Sequence, residues 1–150
     1  MKYTRISPAQ FADLEGLDDW RYHLGAVHAH FHAGSFPAAI ELTTRIGDAA
    51  KAIRHHPDIT ITYPDLVGVS LMTHATGGLT TFDVDLARQI SGLAAATGAS
   101  PDPKIGQSVE VTIDILDLEA CVPFWAAVMG GYSRRGDRVL VDPLRNGPTI

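Results

Sequence analysis

Two alternating apolar runs, "ITITY" at residues 59–63 and "VGVSLMTH" at 67–74, are joined by little more than a Pro-Asp pair, and that joint leaves them a single arrangement. Residues two apart share one face of a strand, so each run offers one apolar side. A connection this short folds the second run back along the first as an antiparallel hairpin. A similar pair precedes it: "WRYHLG" and "AVHAHFHAG". In the second of these, Val27, Ala29, Phe31 and Ala33 point one way and His28, His30 and His32 the other.

Between the two hairpins, Phe36, Ala39, Ile40, Leu42, Thr43, Ile46, Ala49, Ala50 and Ile53 recur at helical spacing. They predict an amphipathic helix from Phe36 to about Arg54, roughly five turns long. Pro57 ends it, with His55 and His56 at or just past the last turn. "SPAQFADLEGL" opens the chain with Ser7 as N-cap, Pro8 at the first helical position and Gly16 as a stop. "GGLTTFDVDLARQISGLAAATG" reads as a glycine turn followed by a capped helix that ends near Gly98. The order over residues 1–98 is thus α-β-β-α-β-β-α. It predicts an α+β fold: an antiparallel four-stranded sheet with helices on one face.

"GASPDPKIGQ" has the composition of a linker, placed at residues 99–107. Residues 108–150 then read as a βαββ fragment: "SVEVTIDI" a strand, "DLEACVPFWAAVMGG" a helix, "YSRRGDRVLVDP" a strand, and "GPTI" the start of another element. Such a piece has too little core to stand alone and must lean on the first unit, on another copy or on further chain.

With 45% apolar and 19% charged residues the composition is that of an ordinary folded protein. A net charge of −5, and no concentrated run of Lys and Arg, argue against nucleic acid or anionic lipid as partners. No apolar signal core follows the basic residues of the start, and no apolar stretch of about 18 residues occurs, so a cytoplasmic location and no membrane partner are expected. A single cysteine, Cys121, permits neither an internal disulfide nor a thiolate zinc cage, and its apolar helix suggests packing.

The chemistry concentrates in "RHHPDITITYPDLVGVSLMTHATGG", residues 54–78. Imidazoles at a helix C-terminus sit near the negative pole of its dipole, and a reference pKa near 6.5 lets them exchange protons at neutral pH. If the two runs pair, the start of the first lies beside the end of the second, which brings His74 to the His55–His56 corner. Three readings stand on pattern alone: acid/base work or substrate binding, a zinc site, or a surface cluster. Adjacent histidines diverge and seldom both ligate one ion. His28, His30 and His32 read as a solvated or interface face, His23 is uninformative, and "GGLT" lacks the lysine of a phosphate loop.

"KAIRHHPDITITY", "SLMTH" and "GGLTTFDVDLARQI" together resemble the pterin-4a-carbinolamine dehydratases over roughly residues 1–97. Lys51, His55, His56, Pro57, Tyr63, Thr73, His74 and Asp83 fall on the positions of that family's pattern. The resemblance implies dehydration of a 4a-hydroxytetrahydropterin to the quinonoid dihydropterin, with no metal and no other cofactor. It implies His55 and His74 as the acid/base pair, Asp83 as the group that orients a histidine, and His56 as a hydrogen-bonding partner of the pterin. Pro57 and the main chain at Arg54, Met72, Thr73 and Ala75 would frame the ring. The resemblance also implies a homodimer or homotetramer, and it admits an alternative, a non-catalytic pterin-binding or dimerisation protein on the same scaffold. Three departures stand out: Lys51 where Glu is frequent, ten residues between Tyr63 and His74 where nine is usual, and Ala33 where a strand commonly ends in an aromatic. Residues 108–150 resemble the opening of a glyoxalase-like, vicinal-oxygen-chelate module, with Glu110 at a position that carries a ligand in metal-binding members.

Overall fold

Ser7 accepts the amide of Gln10 and the Gln10 side chain returns the bond, a capping box that starts helix α1, Pro8–Ala12. The first hairpin, β1 (Arg21–His23) and β2 (Ala26–His32), turns through Leu24 and Gly25, both with positive φ. Helix α2 covers Phe36–Ile53, the second hairpin is β3 (Asp58–Thr62) with β4 (Leu66–Leu71), and α3 runs Thr81–Ala96. This computed structural model describes residues 3–137, 139–143, 148 and 150.

The sheet order is β1-β2-β4-β3 with antiparallel neighbours, so the two hairpins meet along β2 and β4. Inward strand residues Val27, Ala29, Phe31, Val67, Val69 and Leu71 are buried against Leu42 and Ile46 of α2 and Leu86 and Ile90 of α3. The expected α+β architecture is therefore present. Two positions of the helical repeat, Phe36 and Ile40, are exposed. They lie outside the stripe Ala39, Leu42, Ile46, Ala50 that the helix buries.

The segment read as a linker does part of the sheet's work. Ser100–Pro101 forms β5, antiparallel to β2 at Phe31 and His32, and Asp102 donates its amide to the carbonyl of His30. The strand signal is too short to see in sequence. What makes it pair is the edge of β2 that the three-residue β1 leaves open.

Behind β5 the chain passes over the outer face of the sheet. A methyl placed on Gly106 would meet His23 Nε2 and His30 Cε1 at 3.6 Å each, and one placed on Gly68 would meet His30 Cδ2 at 3.4 Å. Burial holds His30 below the ordinary imidazole range, against the raising pull of Asp102 and with His23 adding to the lowering. The unfolded chain then takes up a proton that the folded chain resists, so stability is full above the unfolded value of 6.5 and falls as pH drops below it. Urea midpoints measured from pH 7.5 to 5 are expected to decline, and to decline less in His30→Gln.

Helix α2 ends in an unusual cap. Arg54 has φ 55 and ψ 39, the left-handed conformation that favours Gly or Asn, and His55 donates its amide to the carbonyl of Ala50. Left-handed geometry costs a residue with a Cβ about 1 kcal/mol or more. Arg54→Gly is expected to raise the thermal midpoint by roughly 3 °C, read by a thermal melt.

Contacts divide the chain into two units, residues 1–106 and 107–150. In the second, Asp117 caps α4 (Leu118–Met129), and β6 (Ser133–Arg135) pairs with β7 (Val139–Val141). The expected strand 108–115 joins no strand ladder among the described residues; Glu110 alone makes a bridge. An alternating run needs a partner edge, and two three-residue strands offer little of one. Of "GPTI", Gly147 and Thr149 lie outside the described residues, while Ile150 and Leu140 exchange both backbone hydrogen bonds. Helix α4 has no buried residue, and its Phe124 and Val128 are exposed.

Candidate active site

The His55 corner and the end of β4 are brought together by register. Asp58 pairs with Ser70, so three residues back along the chain His55 comes level with Thr73, three residues on from Ser70. The ladder runs without interruption to Thr62 opposite Leu66, and β4 pairs equally regularly with β2. No bulge interrupts either ladder, so the ten-residue interval from Tyr63 to His74 is absorbed outside them. Tyr63 itself is exposed at the far end of β3, about 16 Å of strand from the histidines.

One buried carboxylate ties the parts together. Asp83, 0% exposed, is the third residue of α3 and accepts the amide of Thr80 at 2.7 Å, which completes the capping box of that helix. The same oxygen, Oδ2, accepts the hydroxyl of Thr73 at 2.7 Å, and Thr73 and Thr80 share a further hydroxyl contact at 2.7 Å. The other oxygen, Oδ1, lies 2.6 Å from Nε2 of His55. Since Asp83 is surrounded by donors, the His55 nitrogen donates as well, and Nδ1 is left as the ring nitrogen free to meet a ligand. His55 is nearly enclosed, with 12% of its side chain exposed, and its ring lies 6.1 Å from that of Phe82.

His74 follows Thr73 directly and stands exposed in a tight turn. That turn is held by its own backbone: Thr73 donates its amide to Gly78 and accepts from the amides of Thr76 and Gly77. The N-terminal segment clasps it from outside, with Arg5 donating to the carbonyl of Thr76 and Ile6 to that of Leu79. His56 and Arg54 are exposed on the helix side, Pro57 is half-buried, Met72 is buried and Ala75 exposed. The hydroxyl of Thr73 faces Asp83, so this residue props the turn from beneath.

Thr80 and Phe82 belong to this site and carry no signal of their own in the sequence. The capping pattern "TTFD" was the clue available, because a helix-capping Asp close to a histidine does double duty. The outer-face histidines lie elsewhere on the sheet, and among the described residues no cluster of three His, Cys, Asp or Glu could hold a metal ion. Within residues 107–150 a cleft of about 550 Å³ is lined by Glu110, Asp114, Cys121 and Trp125 among others; it contains none of the histidines.

A helix end and a strand end meet here on an α+β scaffold: His55 is bonded to a buried carboxylate that also accepts from Thr73, the neighbour of the exposed His74. The chain belongs to the pterin 4 alpha carbinolamine dehydratase family, whose model matches residues 4–93. A Nocardia farcinica protein provisionally named pterin-4-alpha-carbinolamine dehydratase is 47% identical over 90 residues, 59% of this chain and 94% of that one. A protein of the same provisional name from Thermosynechococcus vestitus is 38% identical over 91 residues, 60% and 95% of the two chains. Among solved structures, a transcriptional coactivator/pterin dehydratase from Brucella melitensis superposes with a TM-score of 0.57 at 26% identity, over 61% of this chain and 99% of that one. No described helix is long and apolar enough to cross a membrane.

Proposed function

We propose that residues 1–98 catalyse dehydration of a 4a-hydroxytetrahydropterin to the quinonoid dihydropterin. The hydroxyl on C4a leaves as water once protonated, N5 gives up its proton, and the bond between C4a and N5 becomes double. No electron leaves or enters, so two groups that can each hold and release a proton suffice. His55 and His74 are those two groups. Asp83 fixes the ring of His55 with Nε2–H inward and Nδ1 toward the substrate, the arrangement by which a carboxylate orients a catalytic imidazole. His74, on its braced turn, serves the other proton. His56 hydrogen-bonds the pterin, while Arg54, Pro57, Met72, Thr73 and Ala75 frame it.

The observation that carries this reading is the continuous connection from His55 through Asp83 to Thr73, the neighbour of His74. The names of the relatives agree with it. We further assign the unit to a homodimer or homotetramer in the cytoplasm, with β3 as an open sheet edge for a second copy. Residues 99–107 join it to residues 108–150, for which we keep a glyoxalase-like descent; α4 ending at Gly130 and Gly131 before a hairpin supports it.

The test is turnover. A synthetic 4a-hydroxytetrahydropterin, followed by ultraviolet absorbance at pH 7.5, is expected to dehydrate at least about tenfold faster with the protein than in buffer. A rate equal to the spontaneous one would overturn the enzymatic reading and leave the binding alternative.

A further inference from the structure

Two cations stand within one helical turn of His55 along the chain and have no partner among the described residues. Lys51 occupies the last turn of α2 and Arg54 its left-handed cap, and both are exposed. Neither side chain has a hydrogen bond or ion pair among the described residues. Elsewhere on the same helix Arg45 is held by Glu41 at 2.6 Å. The buried carboxylate of the site, Asp83, is fully engaged by Thr73, Thr80 and His55. Of the neighbouring acids, Asp48 lies one turn back on α2 and Asp58 at the start of β3. The C-terminal end of α2 that leads into His55 therefore carries two exposed positive charges in a chain whose net charge is −5.

Arg54 supplies the second observation. Its backbone conformation is one that Gly adopts without strain, yet the position keeps a long cationic side chain. A left-handed cap next to His55, carrying a guanidinium that no described protein group uses, leaves the guanidinium available to a ligand.

Resting on the dehydratase reading above, we propose that Lys51 and Arg54 select reduced pterins whose side chain carries an anion, either a phosphate or the carboxylates of a glutamyl tail. Both present oxygens that a lysine and an arginine can hold while the ring lies between His55 and His74. The cations would act on binding of the tail and leave proton transfer to the histidines, so the preference falls in KM.

Three synthetic 4a-hydroxytetrahydropterins test this: one with a neutral hydroxyalkyl tail, one with the same tail phosphorylated, and one with a benzoylglutamate tail. At low ionic strength the parent is expected to show kcat/KM at least about tenfold higher for one anionic substrate than for the neutral one, mostly through KM. Whichever anion gains more identifies the source. The advantage should shrink at least fivefold in the Lys51→Gln/Arg54→Gly double variant and at 0.5 M salt. Loss of selectivity alongside the higher melting temperature expected of Arg54→Gly separates a binding role from damage to the fold. Equal kcat/KM for all three substrates, or a preference that survives both substitutions, overturns the proposal while leaving the dehydratase reading in place. Absence of turnover on all three overturns both.

Discussion

Asp83→Ala is expected to lower the dehydration rate by about two to three orders of magnitude and to cost about 2–4 kcal/mol of stability. The size follows from how many donors one buried carboxylate serves. Its removal breaks the capping box of α3, takes an acceptor from the Thr80 amide and from the Thr73 hydroxyl, and frees the ring of His55. Asp83→Asn separates these effects. The amide keeps the shape but only one acceptor oxygen; with that oxygen toward Thr80 and Thr73, an NH₂ group faces His55 Nε2. The imidazole must then present the other tautomer, so activity should fall about as far as in the alanine variant while less stability is lost. Urea unfolding and single-turnover rates on the same samples check both halves. An active Asp83→Asn enzyme would mean that the orientation of His55 is irrelevant to the chemistry.

The second large effect is expected from the two histidines, and their burial makes them behave differently. His74 is exposed and makes no side-chain bond to the rest of the protein among the described residues, so His74→Ala should leave stability within about 0.5 kcal/mol while the rate drops by about 10² to 10⁴. His55→Ala should lose rate on the same scale, and about 1–3 kcal/mol of stability as well, because Asp83 Oδ1 is left without its donor in an enclosed place. Groups that act on one reaction as a unit are not additive, so the double variant should be little slower than the worse single one. Rates that multiply would indicate that the two imidazoles serve separate steps or separate sites.

Most of the first unit could be read from its sequence because its signals are local and agree with one another. Alternation in "AVHAHFHAG", helical spacing from Ala39 to Ala50 and short joints between runs each specify an element, and their order leaves an antiparallel sheet as the outcome. That the end of α2 comes to the end of β4 was legible for the same reason, since hairpin register is set by alternation and loop length. What was hidden depends on contacts between distant residues. Nothing local says that Thr73 and Thr80 meet over Asp83, or that Ser100–Pro101 will find the edge of β2. Likewise the left-handed cap at Arg54 runs against its residue type, and only the folded backbone exposes the conflict. The strand expected at 108–115 failed for the opposite reason: its local pattern is good, but among the described residues the second unit offers only two three-residue strands to pair with.

The central claim is that His55, His56 and His74 form one pterin site, distinct from the histidines of the outer sheet face. The most direct measurement is imidazole NMR of the seven histidines during titration with a stable 7,8-dihydropterin, an analogue of the product. His55, His56 and His74 are expected to shift together along one binding curve while His23, His28, His30 and His32 hold still. Shifts confined to the outer-face set, or different apparent affinities at His55 and His74, would contradict it.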